Sequence, residues 1–375
     1  MTGLFGDDLP RPDGKRLFLY LLGPGVGESQ VLVFPDGRTL VVDSCESDRI
    51  NLPRGLLRHL DVKNIDLLVL THPDLDHVRG FATLVRECSP TAIWRYPLGN
   101  SVRDFAADLL RRRPPGEERL VDLRDALAAI DEHQEEHGES TDAYFDRLWS
   151  GAGYEVRCVA PTSCDVARMD RLLKHCTAYI VGERRRISSR FDRFLRGETS
   201  LGDTPNVLSV ALAVRWGNIG ILLGGDVEKG SAKPFSGWKG VMRLLDKPIR
   251  ARGALLESVA AVKVAHHGSA GAFHAPTWKR HAKVDGSTIA MLTPFQSKLP
   301  AASVLRELAT HCGRLGISAA NDEAERRARD GGWAMANAGV LAATAAPCIV
   351  AVFSEDGAVN LHRGQPASLQ TRRAR

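Results

Sequence analysis

Short apolar runs, separated by turn residues and polar clusters, recur along the whole chain. Runs of this kind, bounded by Gly, Pro, Asp or Asn, predict buried β-strands, whereas apolar residues at helical spacing predict amphipathic helices. Predicted strands span residues 16–22, 30–34, 39–43, 65–71, 92–96, 154–159, 210–214, 219–223, 261–265, 316–319 and 349–352, and predicted helices span residues 53–60, 78–87, 126–137 and 302–311. The mixture predicts an α/β (α+β) fold, and Pro35-Asp36-Gly37-Arg38 predicts a hairpin between the second and third strands.

The pattern changes between residues 101 and 205. Long charged amphipathic segments are followed there by an Arg-rich stretch with little periodicity. We interpret this region as a helical and basic insert, suited to a mobile lid or to binding a protein partner. We therefore expect a single domain over residues 1–375 that contains this insert, with a C-terminal extension over residues 321–375.

Composition favours a soluble globular protein. The chain has 375 residues, of which 43% are hydrophobic, and its apolar runs are far shorter than the roughly 20 residues of a membrane span. The first eight residues lack the basic start and apolar stretch of a signal peptide. Seven cysteines without a tight pairing pattern indicate a reducing compartment. We expect a cytoplasmic protein without membrane contact.

The formal charge of +5 is modest, but its distribution is uneven. Arginines cluster at 111–113, at 184–186 with 190, 193 and 196, and at 372, 373 and 375. A solvated surface is the ordinary explanation of such clusters, because exposed arginines need no partner. A phosphate-rich substrate is the competing explanation.

The strongest candidate chemistry is the segment Thr71-His72-Pro73-Asp74-Leu75-Asp76-His77, directly after the predicted strand 65–71. On a loop that follows a strand, His72 and Asp74 can face one point while Asp76 and His77 face another close by. Imidazoles and carboxylates suit Zn²⁺, Mn²⁺ or Fe, and two such ions roughly 3.5–4 Å apart can activate a water for hydrolysis. A solvated turn would explain any one of these residues alone, but explains the set poorly.

Further polar residues follow other predicted strands. Asp226 comes after a strand and two glycines, and the adjacent His266 and His267 follow residues 261–265. Since adjacent side chains point in different directions, at most one of these histidines should reach a given ion, while the other could act on substrate. Asp43 ends its strand either as an acceptor that orients a ligand imidazole or as a simple turn residue.

The glycine-rich segment 23–29 lacks the Lys-Ser/Thr ending of a phosphate-binding loop. We interpret it as a tight connection that can line the site.

The order His-x-Asp-x-Asp-His, Asn-x-x-Ser, Gly-Asp and His-His-Gly-Ser resembles the metallo-β-lactamase superfamily. It is most similar to the hydrolase domain attached to ComEC-type DNA-uptake proteins, over roughly residues 14–320. The resemblance implies a four-layer αββα sandwich, with two face-to-face sheets, outer helices and a metal site at one edge.

By position, the resemblance implies that His72 and Asp74 hold one ion, that Asp76 and His77 hold the other, and that Asp226 bridges them. His266 would complete the second group. Asp74 stands where many members have a second His, and Asn206 stands where many have a further His. Oxygen in place of nitrogen makes Mn²⁺ a competitor of Zn²⁺. A site for a single ion is left open.

Two further residues are candidates for contact with substrate. Lys298 lies where similar proteins often carry Asn and His-Pro, and it could meet a substrate phosphate. Ser269, at the end of the His-His-Gly-Ser motif, is the second candidate for metal or substrate contact.

The resemblance implies a metal-dependent hydrolase, and we expect a phosphodiesterase or nuclease that attacks nucleic acid or nucleotides through a metal-activated hydroxide. Asp76 would ligate an ion and orient the nucleophile, and His267 would protonate the leaving oxygen. Hydrolysis of a lactone, thioester or other small carbonyl substrate is the first alternative. A non-catalytic metal-binding module is the second.

Overall fold

The computed structural model describes residues 5–24, 26–47, 49–97, 118–160, 205–230, 236–245, 256–296, 298–318, 322–335, 348–363 and 368–372. The arginine clusters at 111–113 and 184–196, and most of the expected insert, lie outside these residues. None of the helices in the described part of the chain is long and apolar enough to cross a membrane.

The first sheet has seven strands in the described residues, in the order β17-β16-β1-β2-β3-β6-β7. Its strands are β1 (Leu17–Leu22), β2 (Ser29–Val33), β3 (Thr39–Val42), β6 (Leu67–Leu70), β7 (Ala92–Arg95), β16 (Cys348–Phe353) and β17 (Val359–Arg363). The hairpin of β2 and β3 is antiparallel as predicted, and β3, β6 and β7 are parallel. A separate pair, β4 (Glu46–Ser47) and β5 (Ile50–Asn51), follows β3.

The second sheet has nine strands in the same described ranges, in the order β15-β18-β14-β13-β12-β11-β10-β9-β8. Its strands are β8 (Leu148–Gly151), β9 (Tyr154–Ala160), β10 (Ala211–Trp216), β11 (Ile219–Leu223), β12 (Ala261–Lys263), β13 (Ile289–Leu292), β14 (Arg314–Ile317), β15 (Trp333–Met335) and β18 (Ser368–Arg372). Strands β11 to β14 are parallel to one another. The segment expected as a C-terminal extension therefore supplies strands to both sheets.

The helices are α1 (Leu52–His59), α2 (Leu75–Val78), α3 (Phe81–Cys88), α4 (Glu118–His137), α5 (Gly237–Leu245), α6 (Ala275–His281), α7 (Ala302–His311) and α8 (Asp322–Asp330). Short 3₁₀ turns occupy Pro205–Leu208 and Ala265–Gly268. The helix predicted at 302–311 has these bounds in the structure.

The four layers follow from alternation along the strands of the second sheet. In β11, Ile221 and Leu223 belong to the core shared with the first sheet, whereas Leu222 belongs to the core formed with the outer helices. Met291 and Leu292 of β13 divide in the same way. Because successive side chains point to opposite faces, a sheet that is apolar on both faces must be covered on both. The αββα sandwich expected from the resemblance is confirmed.

The helix predicted at 78–87 is confirmed as α3, but the prediction places its start three residues too early. Helix α2 ends at Val78, and α3 begins at Phe81 after Gly80, which adopts a left-handed conformation with φ of 77°. A Cβ atom on Gly80 would lie 2.4 Å from Asn51 Nδ2, and that amide donates a hydrogen bond to Gly80 O at 2.9 Å. A close tertiary contact therefore interrupts the helical pattern.

Five cysteines of the described residues are free and buried, namely Cys45, Cys88, Cys158, Cys312 and Cys348. Within these ranges the thiols serve as small core residues.

Candidate metal centre

The parallel strands of both sheets end at one edge of the sandwich. In the first sheet, β3 leads into Asp43 and β6 leads into Thr71 and His72, and the backbone N–H of Asp43 donates to Val69 O at 2.8 Å. In the second sheet, Leu223, Lys263 and Met291 lie side by side at the ends of β11, β12 and β13. The carboxyl ends of parallel strands therefore bring together polar residues that are far apart in the sequence.

Helix α2 delivers two of the four side chains of the motif. Asp74 occupies the N-cap position, and Asp76 and His77 lie in the helix itself. His72 and His77 are fully buried, and their ring centroids are 4.1 Å apart. The motif that the sequence singled out is therefore folded inward at the edge of the sandwich.

Two glycines allow Asp226 to approach the same point. Gly225 has φ of +50°, and a Cβ atom there would lie 2.5 Å from Val210 O and 2.7 Å from Ser209 Oγ. The N–H of Asp226 donates to Ser209 Oγ at 2.8 Å, which fixes the turn. A side chain larger than hydrogen at position 225 would push Asp226 away from the histidines.

His266 and His267 both adopt left-handed conformations, with φ of 49° and 51°. This backbone sends the two rings toward different carboxylates. His266 Nε2 lies 3.9 Å from Asp226 Oδ2, whereas His267 Nε2 lies 3.0 Å from Asp76 Oδ2. The ring beside Asp76 is thus that of His267, and not that of His266 as the sequence led us to expect.

Asp226 lies between two groups of side chains. Its Oδ2 is 3.8 Å from His72 Nε2, which is itself 3.5 Å from Asp74 Oδ2. Its Oδ1 is 3.5 Å from His77 Nε2, which is 3.6 Å from Asp76 Oδ2. One carboxylate oxygen therefore faces each group, as a bridging ligand requires.

Hydrogen bonds to Nδ1 hold the buried imidazoles in place. His77 Nδ1 lies 2.7 Å from Asp43 Oδ2, and His72 Nδ1 lies 2.9 Å from Thr71 Oγ1. The Thr71 hydroxyl donates to Asp43 Oδ2 at 2.7 Å, so its oxygen accepts the proton of His72 Nδ1. This arrangement leaves the Nε2 atoms facing the carboxylates, which is the usual orientation of metal-binding histidines.

In this cluster, interactions between opposite charges shift the pKa values in the direction opposite to the effect of burial. Burial alone would lower the pKa of His77, but the carboxylates of Asp76, Asp226 and Asp43 raise it well above its usual range. Burial alone would raise the pKa of Asp226, but His77, His266 and His72 hold it well below its usual range. The carboxyl of Asp76 has a lowered pKa for the same reason, through His77 and His267. The cluster therefore keeps anionic carboxylates at the edge of the sandwich.

Several buried polar atoms point into this cluster without a partner. Among the described residues, His72 Nε2, His77 Nε2 and Asp226 Oδ1 are buried and form no hydrogen bond. Each buried polar atom left unpaired costs about 1–3 kcal/mol. One ligand atom from each of His72, His77 and Asp226 lies within 4.8 Å of the other two. This donor set fits a divalent cation of the Zn²⁺ or Mn²⁺ type.

The other candidate residues of the sequence occupy the surroundings. Asp43 lies behind His77, in the orienting position considered for it. Asn206 Nδ2 is 3.2 Å from His266 Nδ1, and Ser269 Oγ accepts the N–H of Gly271 at 3.2 Å. Lys298 is exposed on the loop 295–300, whose Phe295 ring lies 5.1 Å from that of His267.

Sequence reasoning missed Glu28, Lys263 and Thr293, all of them buried beside the cluster. Lys263 carried a usable signal, because a single charge inside the apolar strand 261–265 requires a buried partner. Glu28 is that partner, and its N–H donates to Asp76 O at 3.1 Å. The glycine-rich segment before it packs closely, since a Cβ atom on Gly27 would lie 2.8 Å from Asp76 O. Gly27 thus serves close backbone packing in this fold.

Comparison with known proteins agrees with this geometry in the first half of the chain. Residues 23–146 match the family model described as "Metallo-beta-lactamase superfamily". No curated protein matches the chain.

Two solved structures are similar at low identity. One is a protein of unknown function from Enterococcus faecalis, with 11% identity, a TM-score of 0.32, and coverage of 66% of this chain and 49% of that one. The other is a mutant of the CmlA β-hydroxylase, with 13% identity, a TM-score of 0.33, and coverage of 70% of this chain and 37% of that one. The chain thus spans about half or less of the length of these proteins.

The matched segment contains the whole His72–His77 motif, and the sheets form the sandwich associated with that superfamily. Residues 23–146 are therefore similar to the metallo-β-lactamase superfamily over the segment that holds this motif.

Proposed function

We propose that the chain is a metal-dependent phosphodiesterase or nuclease that acts on nucleic acid or nucleotides. The observation that carries this proposal is the position of Asp226, whose Oδ2 faces His72 and whose Oδ1 faces His77. His72, Asp74, His266 and Asp226 Oδ2 would hold one ion. Asp76, His77, His267 and Asp226 Oδ1 would hold the other. Zn²⁺ suits the two imidazoles of each group, and the carboxylates make Mn²⁺ a competitor.

Divalent ions in such a site supply a water that ionises near neutral pH, together with positive charge for the oxygens of the reacting group. Asp76 orients the nucleophile, because its carboxylate lies between His77 and His267 at the mouth of the second group. His267 acts as a ligand in this proposal, since its Nδ1 is bonded to Thr293 and its Nε2 faces Asp76. That assignment replaces the proton-donor role considered from the sequence.

Support for a phosphodiester substrate comes from positive charge and from the ComEC-type resemblance. Lys298 is exposed on the loop that carries Phe295 beside His267, where an ammonium group can meet a substrate phosphate. The arginines at 184–196 would add sequence-independent attraction to a polynucleotide.

A small carbonyl substrate is the second candidate. The half-buried ring of Phe295 gives the site an apolar wall next to His267, which suits the acyl group of a lactone or thioester. Such an enzyme would use the same ligands, and its rate would depend little on salt.

Hydrolysis by metal-stripped protein, resupplied with Zn²⁺ or Mn²⁺, tests the proposal. We expect turnover of bis(p-nitrophenyl) phosphate that requires metal and falls by on the order of 100-fold or more in Asp76→Ala. Asp356→Ala is the matched control, because Asp356 lies in an exposed turn after β16, at the end of the first sheet opposite Glu28. Turnover of p-nitrophenyl acetate or a lactone alone would favour the second candidate. No turnover of either by metal-loaded protein would favour a binding module.

A further inference from the structure

A buried ion pair lies directly behind the second metal group. Glu28 and Lys263 are 0% and 1% exposed, and Lys263 Nζ contacts Glu28 Oε1. Glu28 precedes β2 of the first sheet, whereas Lys263 ends β12 of the second, so the pair joins the two sheets at the edge that carries the site. Burying two charges costs several kcal/mol per ion before pairing, and packing alone would be served as well by apolar residues.

Each member of the pair is connected to one proposed ligand. Glu28 Oε2 accepts the Thr293 hydroxyl, and the oxygen of that hydroxyl lies 2.8 Å from His267 Nδ1. Because the hydroxyl proton is given to Glu28, Thr293 Oγ1 accepts from His267 Nδ1–H. The backbone carbonyl oxygen of Thr293 lies 3.2 Å from the same nitrogen and is a second, longer acceptor. The hydroxyl is the closer of the two, and together they fix the ring with Nε2 toward Asp76.

Lys263 acts on the other side of the group. Its Nζ donates to Gly225 O at 3.0 Å and lies 3.8 Å from Asp226 Oδ1. Gly225 immediately precedes Asp226 in the tight turn described above. The same buried pair therefore holds the backbone before one ligand and the ring orientation of another.

We propose that Glu28, Lys263 and Thr293 form a positioning network. The network orients His267 and Asp226 so that they can bind the ion of the second group, together with Asp76 and His77. This proposal rests on the metal centre of the proposed function, but it does not depend on the substrate. The network prepares the second group for its ion before the ion binds, so its loss weakens binding at that group.

Thr293 allows a sharp test, because its methyl and hydroxyl groups do different things. The methyl packs tightly in the core, since a Cβ atom on Gly23 would lie 2.3 Å from Thr293 Cγ2. Thr293→Val keeps this packing and removes the hydroxyl, whereas Thr293→Ser keeps the hydroxyl and removes the methyl. If the hydroxyl positions His267, Thr293→Val should bind Zn²⁺ more weakly than Thr293→Ser. If the methyl acts only through packing, Thr293→Ser should bind more weakly than Thr293→Val.

The experiment is titration of metal-free protein with Zn²⁺ against a chromophoric chelator, without substrate. We expect the ion of the second group (Asp76, His77 and His267) to bind about 10–100-fold more weakly to Thr293→Val than to wild type. This loss is typical when the hydrogen-bond partner of a metal-binding histidine is removed. Thr293→Ser should stay within about threefold of wild type. Equal affinities in wild type and Thr293→Val, or weaker binding by Ser than by Val, would overturn the proposal.

A second measurement uses the unaltered chain. In Zn²⁺-loaded protein, long-range ¹H–¹⁵N spectra of the imidazoles should show the proton of His267 on Nδ1 and a metal-bound Nε2. A proton on Nε2, or failure of wild type to bind an ion at this group, would overturn the network. The protein could bind both ions, with Thr293→Val weaker than Thr293→Ser, and yet hydrolyse no phosphodiester. That result would contradict the proposed function but support the positioning network.

Discussion

At the scale of single residues, the metal centre is a cluster of carboxylates whose negative charge is balanced by histidines. His77 is surrounded by Asp43, Asp76 and Asp226, and these carboxylates raise its pKa although burial opposes the shift. The pKa of His267 is raised as well: burial lowers it, but Glu28 and the hydrogen bond with Asp76 outweigh that effect. In metal-free protein the surrounding carboxylates therefore favour the protonated form of both rings.

We predict that metal binding releases protons. An ion at Nε2 must displace the proton of His77, so affinity should rise with pH until the raised pKa of His77 is passed. The same shift means that the charged cluster stabilises metal-free protein below the ordinary histidine pKa of about 6.5, and that this contribution is lost as pH rises through the raised pKa.

Calorimetry in two buffers of different ionisation enthalpy measures this release. We expect an apparent binding enthalpy at pH 7 that differs between the buffers by the heat of at least about one proton. An enthalpy independent of the buffer would show that the histidines are already neutral.

Much of the site at this scale could be predicted from the sequence, because His72, Asp74, Asp76 and His77 lie within six residues directly after a strand. The assignment of His266 and His267 could not, since it depends on two consecutive left-handed residues that no periodicity reveals. The role of Thr293 was equally hidden, because a threonine after an apolar strand has no distinctive pattern.

At the scale of elements, the site depends on tight turns after the strands. The turn Gly224-Gly225 lets Asp226 reach the histidines, and the break at Gly80 separates α2 from α3. Residues 78–87 have the apolar spacing of a helix, so the local pattern predicted one that begins at Val78. Gly80 instead contacts Asn51, which is distant in sequence, and α3 begins only at Phe81.

We predict that Gly225→Ala weakens both the fold and metal binding. The new Cβ atom would meet Val210 O and Ser209 Oγ in a left-handed turn, costing roughly 2–4 kcal/mol in the free energy of unfolding. Zn²⁺ affinity should fall about tenfold or more, because Asp226 moves with the turn.

Gly217→Ala is the control for that experiment. Gly217 has a similar φ of +53°, but nothing lies within 4 Å of the added Cβ atom. It should cost about 1 kcal/mol and leave metal affinity unchanged. Equal effects of the two substitutions on Zn²⁺ binding would mean that the turn does not position Asp226.

At the scale of the whole molecule, the two sheets bring ligands from both halves of the chain to one edge. The strand pattern predicted an α/β protein, but the face-to-face arrangement came from the motif resemblance, because pairing between distant strands leaves no local signal. The strands at 348–363 and 368–372 illustrate this, since they join different sheets although they are close in sequence.

Nucleic-acid binding is a prediction at this scale, and it concerns arginines outside the described residues. Replacing Arg184, Arg185 and Arg186 with Gln should reduce the slope of log affinity against log salt by about 2–3 for duplex DNA, if each neutralises one phosphate. The exposed Arg326 and Arg329, which pair with acidic residues of α8, provide a control pair for Gln substitution. An unchanged slope would remove the 184–186 cluster from the substrate path.

The metal centre itself is tested most directly by anomalous diffraction from crystals soaked in Zn²⁺, recorded on both sides of the zinc edge. We predict two peaks about 3.5–4 Å apart. One should lie against His72, Asp74 and His266, and the other against Asp76, His77 and His267, with Asp226 between them. No peak at these residues, or a peak only between Glu28, Asp43 and His77, would contradict the account.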